Sequence, residues 1–167
     1  KTVIDIMSVG DGLNGHKVIN VYDTILMQKN DEPDNIYILW TAFIDDQYFR
    51  LYRIFNVKSE ELGDIKVNRF KVGDTVNDFS TSGMKNALAI NGVGYKEMRS
   101  DIGIMQKLTS RIENGVTYYY TGAYSGNFNC IIKSADLITW EYVAQPDEGE
   151  GAFRNDTLWE NAVYVLD

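Results

Sequence analysis

No stretch of a dozen residues in this chain carries apolar side chains at helical spacing. Short apolar and aromatic runs are instead separated by turn-forming residues, which is the pattern of β-strands. A first group is predicted at about 18–27, 36–44, 47–57 and 65–72, with breaks at Asp31-Glu-Pro33-Asp-Asn35, Asp45-Asp46 and Gly63-Asp64. A second group falls at about 101–112, 117–124, 127–133 and 139–144. Asn114-Gly115 opens a tight turn into the aromatic run Tyr118–Tyr120, and Ser125-Gly126-Asn127 separates the next two strands. The segment Ser134-Ala-Asp136-Leu-Ile-Thr-Trp140 then turns the chain again. Asp136 suits that turn because its carboxylate can accept hydrogen bonds from the backbone amides just ahead of it, while Trp140 offers an apolar plate to a neighbouring sheet.

Two units of the same kind are therefore visible, in pattern rather than in identity. Asn35-Ile-Tyr-Ile-Leu-Trp-Thr-Ala-Phe43 answers Gly115-Val-Thr-Tyr-Tyr-Tyr-Thr-Gly-Ala-Tyr124, each following one turn and ending before another. Four antiparallel strands joined by short turns read as one blade of a β-propeller. The expected organisation is a lead-in segment at 1–17, a blade at 18–73, a long polar and glycine-rich connection at 74–99, a blade at 100–146 and the start of a third at 147–167. The fold class is all-β: about two blades plus one strand of an incomplete propeller. Such a stack cannot close by itself, so a second chain or further blades are expected to complete it.

Composition narrows the picture. The chain of 167 residues is 44% hydrophobic and 13% aromatic, with eleven Tyr, seven Phe and three Trp against two Pro. That supports one packed, strand-rich domain and excludes disorder. Sixteen basic and 24 acidic residues give a formal net charge of -8, which argues against nucleic acid as a partner. No apolar run is long enough to span a bilayer, and no secretion signal stands at the N-terminus. The chain opens on Lys1-Thr-Val without an initiator Met and ends at Asp167 as a strand is finishing, so it is expected to be a piece of something longer. Cys130, the single cysteine, falls within a strand and reads as a small core hydrophobe.

The succession of an aspartate on an opening strand, a Tyr-rich second strand and the Ser134-x-Asp136-Leu137-x-x-Trp140 turn resembles the five-bladed propeller glycoside hydrolases of family 43, with invertase and sialidase-like propellers close behind. The similarity runs over roughly residues 18–167. It implies three carboxylates brought to one pocket by the first strands of successive blades: an Asp as general base, an Asp that orients and tunes, and a Glu as general acid. Carried onto this chain by position, Asp23 in Val21-Tyr-Asp-Thr-Ile25 resembles the base, Asp101 in Arg99-Ser-Asp-Ile-Gly103 the tuning residue, and Glu160 in Leu158-Trp-Glu-Asn-Ala162 the acid. Each also has a plain structural reading, as a solvated strand-end carboxylate, a loop cap and an exposed neighbour of a core Trp respectively. Family members usually place Pro after the first Asp, whereas Thr24 follows Asp23, and no Pro lies near Glu160.

The implied function is cleavage of glycosidic bonds in plant or host glycans by acid and base carboxylates, with an oligosaccharide or polysaccharide as partner and no membrane contact. Tyr22, Trp40, Tyr124 and Trp159 are candidates to stack on sugar rings, and Arg154 to contact the substrate. The fragment alone is expected to be inactive. The alternative is a non-catalytic propeller that binds glycans or proteins, such as a surface or phage-tail adhesin. No cofactor is expected, apart from a structural calcium ion at Asp147, Glu148 and Glu150, which otherwise read as a solvated acidic turn. His16 stands alone, which excludes a two-histidine metal site. An extracellular or periplasmic setting is favoured.

Overall fold

Where aromatic and β-branched runs lie between turn formers, the chain forms strands. The computed structural model describes residues 20–92, 103–104, 109–125 and 128–144. Within them the protein is mostly β, with one short helix and two open sheets. The first sheet is an antiparallel meander of β1 (Asn20–Gln28), β2 (Asn35–Ile44) and β3 (Gln47–Asn56). The far edge of β3 is shared by two short strands, β4 (Glu61–Leu62) and β5 (Lys66–Val67). The β2–β3 hairpin turns on two residues, Asp45 and Asp46, with φ of 47° and 60°. Positive φ at both central positions gives the turn a twist that matches its flanking strands.

The second sheet contains β6 (Arg69–Val72), β7 (Thr75–Asp78), β8 (Gly103–Ile104), β9 (Thr109–Glu113), β10 (Val116–Ser125), β11 (Phe128–Ser134) and β12 (Thr139–Ala144). β8 and β9 share one edge of β10, then β11 and β12 follow antiparallel. This repeats the four-stranded antiparallel meander of the first sheet, although the strand broken in two is the opening one here and the closing one there. The turn Asn114-Gly115 takes φ of 50° and 82°, the second hairpin of the same kind.

One predicted strand is corrected. The segment 65–72 does not stay in the first sheet: it breaks at Asn68, and β6 crosses to lie parallel to β12, with β7 beside it. The connection expected at 74–99 is likewise not all loop, since it holds β7 and the helix α1 (Thr81–Ile90). Ser80 caps that helix by accepting the Gly83 amide at 3.1 Å, and Met84, Ala87 and Leu88 form its buried stripe.

The sheets pack face to face. Ile25, Tyr37, Leu39 and Tyr52 of the first meet Phe70, Tyr119, Ile132 and Trp140 of the second, and Phe79, Met84 and Leu88 fill the layer beside them. The opposite face of the first sheet is also apolar and buried, through Ile38, Trp40, Ala42, Ile44, Leu51 and Ile65. β2 is thus buried on both sides, which is why its sequence is a nearly continuous apolar run rather than an alternation.

The turn before β12 is built as its side chains predict. Asp136 Oδ1 accepts the amides of Ile138 and Thr139 at 2.8 and 2.7 Å and the Ser134 hydroxyl at 2.9 Å. Ser134 Oγ in turn accepts the Leu137 amide at 2.8 Å. Leu137 sits at φ 64°, a left-handed conformation unusual for a bulky residue, and its side chain is buried in the layer. Trp140 is wholly buried there too.

The lead-in at 1–17, the expected third strand group at 147–167 and most of 93–108 lie outside the described residues.

Candidate functional site

The first strands of the two meanders meet. β8 lies beside β1, with Cα atoms within 8 Å, although the two belong to different sheets. β1 is also irregular: its register with β2 shifts between Tyr22, opposite Thr41, and Ile25, opposite Leu39. Asp23 and Thr24 therefore both fall opposite Trp40. Such a bulge lets a strand re-aim a side chain and recurs beside functional sites. Asp23 thus stands at a bulge on β1, the edge strand of the first sheet, and Asp101 precedes β8 by two residues in sequence.

The buried layer is not wholly apolar. Thr41, Arg50 and Thr121 are polar yet 1%, 0% and 0% exposed. Arg50 Nη1 donates to Thr41 Oγ1 at 3.2 Å, and the three residues Tyr22, Thr41 and Arg50 form one cross-strand row. Sequence reasoning passed over Arg50 because an Arg within an alternating strand reads as a solvent-facing position. The signal was its pairing partner: Thr41 interrupts an apolar run.

Two further clusters sit elsewhere. At the β1–β2 turn, Glu32 receives Lys29, the Tyr37 hydroxyl at 2.6 Å and the Asn35 amide at 3.2 Å. The Lys29 and Tyr37 hydrogen bonds pull the Glu32 carboxyl down to about 2, while burial, reinforced by Glu32, raises the Tyr37 phenol. On the outer face of the second sheet, Tyr120 donates to Glu113, Lys133 pairs with Glu113 at 2.9 Å, and the Lys133 ammonium lies 4.2 Å from the centre of the Tyr118 ring. Hydrogen bonding from Tyr120, and then from Lys133, lowers the Glu113 carboxyl. Lys71 and Glu141 pair at 3.4 Å on the same face, and Arg69 with Asp78 at 2.5 Å.

Of the residues named from sequence, Tyr22 and Asp23 lie in β1 and Tyr124 in β10, opposite Gly103 of β8. Trp40 is corrected: its indole is 0% exposed among Ile38, Ala42 and Leu51, so it offers no face to a sugar and acts as core. Asp101, Arg154, Trp159 and Glu160, like His16 and the acidic segment Asp147 to Glu150, lie outside the described residues. Among the described residues no group of His, Cys, Asp and Glu is arranged to hold a metal ion, and no helix is long and apolar enough to cross a membrane.

No protein family, curated protein or solved structure matches this chain.

Proposed function

We propose that the chain is a carbohydrate-active β protein: two blades of a propeller similar to the family 43 glycoside hydrolases, with Asp23 as general base, Asp101 as tuning carboxylate and Glu160 as general acid. The observation that carries this reading is the meeting of β1 and β8, the opening strands of the two meanders. A glycosidase needs one carboxyl group kept protonated for the leaving oxygen and one ionised to activate water or attack carbon, about 5 to 10 Å apart. Adjoining strands are one way to bring acids from distant parts of the chain to such spacing. The remaining blades come from further sequence or from a second chain, and an extracellular or periplasmic setting fits a glycan substrate.

The test is hydrolysis by a longer parent carrying the additional blades. Glu160→Gln should lower turnover on its best aryl glycoside by several orders of magnitude, and retention of a near-normal rate removes the acid assignment. The 167-residue chain by itself should release no sugar from the same panel.

A second reading is favoured by the outer face of the second sheet. Tyr118 there is half-buried and combines aromatic surface with the hydrogen-bonding groups of Lys133 and Glu113, a composition suited to glycan adhesion without chemistry. It calls for glycan-array binding by this chain that weakens at least tenfold in Tyr118→Ala, with no reducing sugar released by the parent.

A further inference from the structure

Three Asn-Gly pairs occur in the sequence; Asn91-Gly92 and Asn114-Gly115 fall within the described residues, and Asn14-Gly15 lies outside them. Such a pair carries its own chemistry. The glycine amide nitrogen, once a solvent base has taken its proton, attacks the asparagine Cγ; Nδ2 then takes a proton and leaves as ammonia, and the product is a cyclic succinimide. Water opens that ring at one carbonyl to give aspartate, or at the other to give isoaspartate, in which the main chain runs through the former side chain. Glycine favours the attack because it has no Cβ to crowd the closing ring and because its backbone angles are the least restricted. Both asparagines are exposed, so access to water does not separate the two sites, and the bonds on the reacting atoms must.

At Asn91 both nitrogens of the reaction are engaged. Nδ2, the leaving group, donates to the Ala87 carbonyl at 2.8 Å and to Thr75 Oγ1 at 3.1 Å, and the Gly92 amide, the nucleophile, donates to the Ala89 carbonyl at 3.1 Å. Asn91 caps the C-terminus of α1, and its Oδ1 lies so close to Gly73 that a Cβ there would stand 2.7 Å from it. Ring closure therefore requires the helix end to come away from the β6–β7 hairpin. Asn114 is placed differently. It and Gly115 are the two central residues of the β9–β10 hairpin, since Glu113 pairs with Val116, and a two-residue turn leaves the amides of its central residues outside the ladder. A Cβ built on Gly115 would meet nothing within 4 Å, so the turn stands clear of the sheet. An exposed tip of this kind opens by local fraying, whereas the Asn91 site must first release a helix cap.

We propose that Asn114 is a modification site of this chain: a solvent-facing turn asparagine that converts spontaneously to aspartate and isoaspartate, while the chemically identical pair Asn91-Gly92 is held back by its cap. The reaction needs water alone, and the site stands whether or not the chain acts on glycans. Its consequence falls on the outer face of the second sheet. Either product places a new carboxylate next to Glu113, which holds Tyr120 and Lys133. Isoaspartate also adds a main-chain carbon to a turn whose two-residue length sets the register of β9 on β10.

The experiment is peptide mapping by mass spectrometry of the full chain aged in mildly alkaline buffer, once folded and once in urea. In urea, where local sequence alone governs, the two pairs should react at similar rates. In the folded chain reaction at Asn114 should exceed that at Asn91 by at least about tenfold, a ratio set by the difference in local opening. Gly115→Asn introduces a residue that tolerates positive φ, here 82°, and finds open space; it should slow reaction at Asn114 severalfold and leave Asn91 unchanged. Equal rates at the two sites in the folded chain, or a faster Asn91, overturn the proposal. So does an Asn114 that reacts in urea but is silent in the folded chain, since the turn then protects the pair instead of exposing it.

Discussion

At Glu32 three donors from one turn converge on a single carboxylate, and the consequence is a stability that depends on pH. Its folded-state value is depressed from 4.5 to about 2, so the stabilisation is fully present above about 4.5 and is lost as pH falls toward 2. Lys29 works in the opposite sense: its value is raised above 10.5, and its share is present below that point and lost only as pH rises past it. Melting curves of the chain between pH 5 and 2 should therefore fall less steeply for Glu32→Gln than for the wild type, and equal slopes would show that the cluster contributes nothing. Asp45 and Asp46 make a second local argument. Both hold positive φ, and both carry a negative charge at adjacent positions in a chain whose net charge is already -8. Replacing Asp46 by Gly keeps Asp45 and the turn geometry, lowers the cost of φ > 0 and removes the repulsion, so denaturant titration should show a gain of about 1 kcal/mol.

One helix and two broken strands define the scale of the element. α1 escaped the sequence reading because its buried stripe is only Met84, Ala87 and Leu88, too short to establish a period, and because Gly83 and Asn86 are weak helix formers. Ser80 followed by that stripe was the available signal. Gly83 looks like a position where Ala should help, since Ala exceeds Gly by about 1 kcal/mol in a helix. The structure reverses the sign. A Cβ on Gly83 would stand 2.1 Å from the Asp78 carbonyl oxygen, a backbone atom that cannot swing aside. The expected outcome for Gly83→Ala is a loss of about 1–3 kcal/mol in urea unfolding, with a shift of α1 from β7 visible in amide chemical shifts. By contrast the hairpins at Asp45-Asp46 and Asn114-Gly115 and the Asp136 turn were legible, because each depends on side chains within a few residues of one another.

For the whole molecule, what could be read was the local meander, twice, and what could not was the crossing between sheets. Strand patterning reports which residues are buried but not which neighbour buries them, so 65–72 read as one strand and Trp40 as a surface plate. For the candidate site, local pattern offered Asp23 and Asp101 as positions near strand openings, whereas the buried Arg50 depends on packing that no local pattern encodes. The crossing itself turns on Asn68, which is 0% exposed. Its amide donates to the Arg50 carbonyl at 2.8 Å in the first sheet, and its carbonyl accepts the Phe79 amide at 2.7 Å. Its side-chain nitrogen donates to the carbonyls of Leu137 and Ile138, both at 3.0 Å, ahead of β12. Ile138 keeps a second partner in the Arg69 amide at 2.9 Å, so it is chiefly Leu137, already strained at φ 64°, that loses support when the side chain is removed. Asn68→Ala should cost about 2–3 kcal/mol, since one buried and one partly buried hydrogen bond disappear and the buried Leu137 carbonyl loses this donor. If the shared layer makes the sheets one cooperative unit, hydrogen exchange should show the amides of β2 and β3 and those of β10 and β11 losing the same protection in that variant. Loss confined to the second sheet would mean that the sheets open independently, and that the junction of β1 with β8 is held by contacts other than the crossing.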